Sequence, residues 1–193
     1  MRRSLWIFAI VVLLTLATAL QAWAVYDEDN TSRLSVMLGL YRPSSSELRK
    51  EGDSAWKTLG VNYLLSDDQQ KNFRKSVSVE LANNEHDRLR GSLFSVQYSG
   101  VWRKHSPEEP GPYYGAGGGI FLAREKLKAK FVSGVGVLPE VNHSGTKLGF
   151  SLTGGYDFNQ HWFAEMRYTK VGKISGDLDF SGLTFYAGGR LSF

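Results

Sequence analysis

Glu165 and Arg167 stand two residues apart in "HWFAEMRYTK". At that spacing an acid and a guanidinium share one face of a strand. There they can form an ion pair, relay a proton or line a conduit with charge. Glu80, Arg74, Lys147 and Arg190 fall on the polar face of other alternating segments. Charges withdrawn from water must be paired, and breaking one pair is costly. The expectation is therefore an ion-pair network of Arg74, Glu80, Lys147, Glu165, Arg167 and Arg190, with no catalytic residue among them.

Other chemistry is thinner. "VNHSG" sets His143 beside Ser144, the residue types of a hydrolase. Adjacency does not make a base hydrogen-bonded to a nucleophile, and no local acid is at hand to orient the imidazole. His86, His105 and His161 stand apart without metal-ligand spacing. Gly115, Gly117 and Gly119 are not followed by a helix, as a phosphate-binding loop requires. They read instead as a stripe that makes room for large neighbours. The chain has no cysteine, so disulfides, thiolate catalysis and cysteine-ligated zinc are excluded. Nothing implies a cofactor or a metal.

The elements that carry these residues repeat a period of two. "SRLSVMLGLYR", "KTLGVNYLLS", "FRKSVSVELA", "LFSVQYSGVW", "YYGAGGGIFLA", "KLGFSLTGGYDF", "WFAEMRYTK" and "GLTFYAGGRLSF" each alternate an apolar with a polar or small residue. Eight such segments of about ten residues predict an all-β fold, an eight-stranded antiparallel up-and-down barrel. Links near 43–57, 83–90, 123–146 and 171–182 fall at one end. Links near 66–72, 103–112 and 159–161 fall at the other, with the C-terminus.

The N-terminus is different. "MRRSLWIFAIVVLLTLATALQAWA" is a charged start, an apolar run and an A-x-A site, so residues 1–24 read as a cleaved export leader. Residues 25–193 form one domain. Without Arg2 and Arg3 its charge is nearly balanced, which argues against nucleic acid. No later stretch approaches the 18 apolar residues of a spanning helix.

Alternation alone does not say which face of the barrel is apolar. A soluble barrel has an apolar lumen, and a transmembrane one reverses the faces. The polar face here carries a few long charges among Ser, Thr and Gly, as a crowded eight-stranded interior requires. Phe73, Trp102, Tyr114, Phe158, Trp162 and Phe193 all fall at one end of the apolar face, as in an aromatic girdle at a membrane interface. The terminal Phe193 thus closes an outward-facing strand that pairs with the first, leaving no edge.

"PYYGAGGGI", "HWFAEMRYTK" and the ending "LTFYAGGRLSF" resemble the outer-membrane β-barrel domain family of small OmpA- and OmpX-like barrels. The resemblance covers 25–193 and is strongest from Tyr113 onward. It implies a barrel in a Gram-negative-type outer membrane, with Phe193 as part of the signal read by the assembly machinery. It implies no single activity, and members are structural or adhesive. The expected function is a structural or surface-interaction role without catalysis or a wide pore. The alternatives are a lipid A hydrolase and a narrow channel. The expected partners are outer-membrane lipids, and the protein is expected to be a monomer. "AREKLKAKF" offers Arg124, Lys126, Lys128 and Lys130 to lipopolysaccharide phosphates.

Overall fold

The computed structural model describes residues 33–68, 71–86, 89–106, 109–127, 130–132, 136–138, 140–173 and 179–191. Residues 1–24, expected to be an export leader, lie outside these residues, as do Lys128 and Phe193.

The elements in chain order are β1 (Leu34–Pro43), α1 (Ser46–Glu51), β2 (Trp56–Asp68), β3 (Phe73–His86), β4 (Leu89–Arg103), β5 (Gly111–Leu127), β6 (Lys130–Val132), β7 (Gly136–Leu138), β8 (Val141–Asp157), β9 (Trp162–Val171) and β10 (Gly182–Leu191). Among the described residues eight strands close an antiparallel barrel in the order β1-β10-β9-β8-β5-β4-β3-β2, while β6 and β7 pair as a separate hairpin. This is the up-and-down barrel that the alternation predicts.

Closure joins the first strand to the last. Leu34 lies opposite Leu191, and the ladder runs without a break to Pro43 opposite Gly182. Every strand therefore has two neighbours, and no backbone edge remains within the wall. Leu38 and Ala187 face each other across this seam on the outer side. Directly opposed antiparallel residues have Cα atoms about 4.5–5.5 Å apart, within reach of a disulfide. Because the chain has no other cysteine, Leu38→Cys with Ala187→Cys should oxidise to an intrachain crosslink. Non-reducing electrophoresis of the folded protein would show it, and crosslinked dimers alone would count against the seam.

The faces are inverted relative to a water-soluble barrel. Ser35, Ser78, Ser95, Ser151 and Thr169 are buried, whereas Leu38, Leu40, Phe150, Leu152 and Phe185 are exposed. An apolar belt of this extent far exceeds the few hundred Å² of apolar patch a soluble monomer shows.

Several local readings change. The strands at the loop end run longer than the alternation shows. Ala123–Leu127 continues β5 and Val141–Thr146 begins β8, so "AREK" and "VNHSG" lie on paired strands and not in a loop. The link at 83–90 shrinks in the same way, because β3 reaches His86 and β4 starts at Leu89. The helix α1 carries no periodic signal at six residues. It is fixed by the Ser45 cap, whose Oγ accepts from the Leu48 amide at 3.4 Å, and by Leu48, which is buried in the core. Between Leu64 and Ser66 the β2–β3 register shifts. A bulge of this kind reverses the facing of the residues after it, and here it turns Asp67 inward beside Arg74.

Candidate functional site

The lumen is the only place where the described residues bring ionisable groups together under cover, and it is filled at three levels. At the loop end the filling is mainly apolar, with Asn84 and Glu125 buried at the same end. Tyr41, Leu48, Trp56, Leu89, Phe121 and Phe180 belong to one buried cluster. Trp56 is fully buried, edge-on to Tyr41 with ring centroids 5.5 Å apart and to Phe180 at 6.2 Å. The Tyr41 hydroxyl donates to the Phe180 carbonyl at 2.5 Å, pinning the segment before β10 to β1. A Cβ at Gly91 would lie 2.5 Å from the Trp56 ring, so glycine there is what admits the indole. Beside this cap, the Asp179 carboxyl sits below its ordinary range. Burial alone would raise it, but hydrogen bonds from Ser181 and the Lys170 ammonium outweigh that.

The middle level is the ion-pair centre. Arg167 on β9 bonds Glu165 through Nε at 3.0 Å and Nη2 at 2.5 Å. Its Nη1 bonds Glu80 on β3. In the strand order β3 and β9 are four strands apart either way round, so this bond crosses the lumen along a diameter. The Tyr186 hydroxyl donates to Glu80 at 2.8 Å, Gln97 Nε2 to Glu80 at 3.2 Å, and the Tyr113 hydroxyl to Glu165 at 3.1 Å. The Arg167 guanidinium lies 5.4 Å from the centroid of the Tyr186 ring. Two carboxylates around one cation are tolerated because these neutral donors satisfy their remaining lone pairs.

At the turn end, where the strands begin and finish, two carboxylates organise the filling. Asp67 accepts from Arg103 Nη2 at 2.5 Å and faces Arg74 Nε at 3.8 Å. Asp157 bonds Arg190 and lies 3.2 Å from His105 Nε2. The Arg190 guanidinium also sits 4.9 Å from the Phe163 ring centroid. In the link between β4 and β5, His105 turns back to Asp157, with the imidazole packed against Gly111.

The six residues expected to form one network are thus distributed. Glu80, Glu165 and Arg167 meet in the middle, while Arg74 and Arg190 belong to the turn-end level with partners of their own. Lys147 is a correction. Its strand face is the inward one, but it lies where β8 has already risen above β9, whose pairing starts at Gly149 opposite Val171. The side chain is exposed there and joins no ion pair among the described residues. Sequence reasoning missed Asp67 and Arg103, because the bulge hides the first and the second closes an apolar-looking strand. Asp157 was legible on the polar face of its segment, but not as a partner of Arg190.

The hydrolase pair comes apart. His143 lies opposite Glu125 and Ser144 opposite Arg124, so consecutive side chains face opposite sides of the sheet. The aromatic residues gather at the turn end on the outer face. Trp102, Tyr114, Phe158 and Trp162 are exposed, with Phe73 beside Trp102 at 4.7 Å and Trp102 stacked on Tyr114 at 6.1 Å. Lys75 lies over Phe73, its ammonium 6.0 Å from the ring centroid. Of the basic stretch, Arg124 is exposed and outward-facing, Lys126 is held by Glu140 at 2.7 Å, and Lys130 falls on β6.

No family model and no curated protein matches the chain. Solved structures do match it in shape. The N-terminal β-barrel domain of Pseudomonas aeruginosa OprF superposes with a TM-score of 0.53 at 15% identity, over 84% of this chain and all of that one. Neisserial surface protein A gives 0.54 at 16%, covering 83% and 96%. Ail, the attachment invasion locus protein of Yersinia pestis, solved with the heparin analogue sucrose octasulfate, gives 0.51 at 14%, covering 82% and 95%. At these identities the likeness is one of fold: the chain has the closed eight-stranded architecture of small outer-membrane barrels.

Proposed function

We propose that this is a monomeric outer-membrane barrel, exported with cleavage of residues 1–24, whose role is structural or surface-interacting and neither catalytic nor pore-forming. The observation that carries the reading is the Arg167–Glu80 bond, which spans the lumen from β9 to β3. The exposed apolar belt and the turn-end aromatics support a membrane setting, with the loop end outward and the turn end on the periplasmic side. The neighbours support a surface role, since one is called a surface protein and another an attachment protein. Outer-membrane lipids are its immediate partners. Arg124 is the best placed of the basic stretch for a lipopolysaccharide phosphate, because Lys126 is already engaged by Glu140. During biogenesis the closing strand β10, with the Phe193 that follows it in the sequence, is what the assembly machinery reads.

A pore requires a continuous wet path, and the side-chain filling at all three levels argues against one. Purified, folded protein inserted in planar bilayers at neutral pH is expected to show no sustained conductance. Steady, reproducible channels would overturn the reading and put a narrow channel in its place.

A further inference from the structure

We propose that Arg42 and Lys57 form a clamp for the phosphate of a membrane lipid, on the outer wall at the loop end of the β1–β2 pair. Both are exposed, and their buried chain neighbours Tyr41 and Trp56 fix them as outward-facing. Lys57 lies directly opposite Leu40, which places it diagonally next to Arg42 on the adjoining strand. Diagonal neighbours in an antiparallel pair sit about 7–8 Å apart, a spacing one phosphate can bridge between two cations.

Their surroundings select a lipid over a solvated charge. Directly below, Leu38 and Leu40 are 62% and 53% exposed, and Phe185, opposite Leu40 on β10, is 50% exposed. A phosphate held by the two cations therefore stands at the upper margin of a surface made for acyl chains. Three other basic residues of this rim are satisfied within the protein. Arg49 donates to the Pro43 and Ser44 carbonyls, Arg90 pairs with Glu85, and Lys170 with Asp179. Arg42 and Lys57 are left without a hydrogen bond or an ion pair among the described residues. The occupant is a multi-acylated lipid bearing a phosphate monoester, whose two negative charges match two cations.

The clamp rests on the membrane-spanning reading, so the test first confirms insertion by protease protection in vesicles. Native mass spectrometry then compares retention of phosphorylated lipid A, the same lipid A without phosphates, and inorganic phosphate. The wild type should hold the phosphorylated lipid on the order of thirty-fold more tightly than the dephosphorylated one, at about a factor of five per cation. Inorganic phosphate, lacking the acyl contacts, should not be retained. Arg42→Gln with Lys57→Gln in an Arg124→Gln background should erase that preference, which Arg124→Gln alone and Lys75→Gln at the opposite end should leave largely in place. Equal retention of the two lipids by an inserted wild type, or a preference that survives the double substitution, would overturn the clamp. A wild type that fails to insert would instead overturn the membrane reading itself.

Discussion

Arg167→Ala should cost the barrel about 3–5 kcal/mol of stability, the largest loss expected from any single charge in the chain. The substitution leaves Glu80 and Glu165 facing each other in a covered lumen with no cation between them. Tyr186, Gln97 and Tyr113 would still donate hydrogen bonds, but neutral donors do not cancel two negative charges. Arg167→Lys should recover only part of the loss, because one ammonium cannot reproduce the forked bonds to carboxylates on strands across the lumen. Replacing all three charges with neutral residues of similar volume should return stability to near the wild-type level, since the pair must offset its own desolvation. Urea unfolding of the protein in lipid vesicles, followed by tryptophan fluorescence, gives the comparison. A loss below about 1 kcal/mol for Arg167→Ala would mean that water screens the centre as it does a surface pair, and the bar across the lumen would lose its force.

The architecture was legible because one physical rule covers the whole wall. Alternate residues face outward or into the lumen, so eight alternating stretches give eight strands, and the pairing of the first with the last follows from closing the edge. Features set by single local events were not legible. The bulge after Leu64 shifts the register by one residue, and no pattern in "LLSDD" marks where the shift falls. Asp67 therefore looked like part of a turn. The continuation of β5 through "AREKL" escaped notice because its side chains beyond the apolar belt no longer alternate by hydrophobicity. They are paired by register alone. The middle ion-pair centre was half legible. The i, i+2 spacing puts Glu165 and Arg167 on one face, but only the curvature of the closed sheet brings Glu80 from the far wall. Lys147 shows the opposite limit, where the correct face on a strand does not suffice once the strand has left the barrel.

Trp56→Ala should destabilise the protein by a similar amount, about 3–5 kcal/mol, through a different mechanism. The indole is fully buried among Tyr41, Phe180 and the loop-end cluster, and its removal opens a void that strands tied on both sides cannot close. A second substitution separates this loss from a general weakening of the rim. Gly91→Ala places a methyl group 2.5 Å from the Trp56 ring and should itself be destabilising. In the Trp56→Ala background the same methyl meets the vacated space, so its cost should vanish or reverse. The double-mutant cycle should then show a coupling of about 1–3 kcal/mol, as expected for residues in direct contact. Additive losses would mean that the indole does not occupy the space over Gly91. Conductance should stay absent even in Trp56→Ala. The apolar cap is only the outermost of three levels, and the Arg167–Glu80 bond beneath it still crosses the lumen.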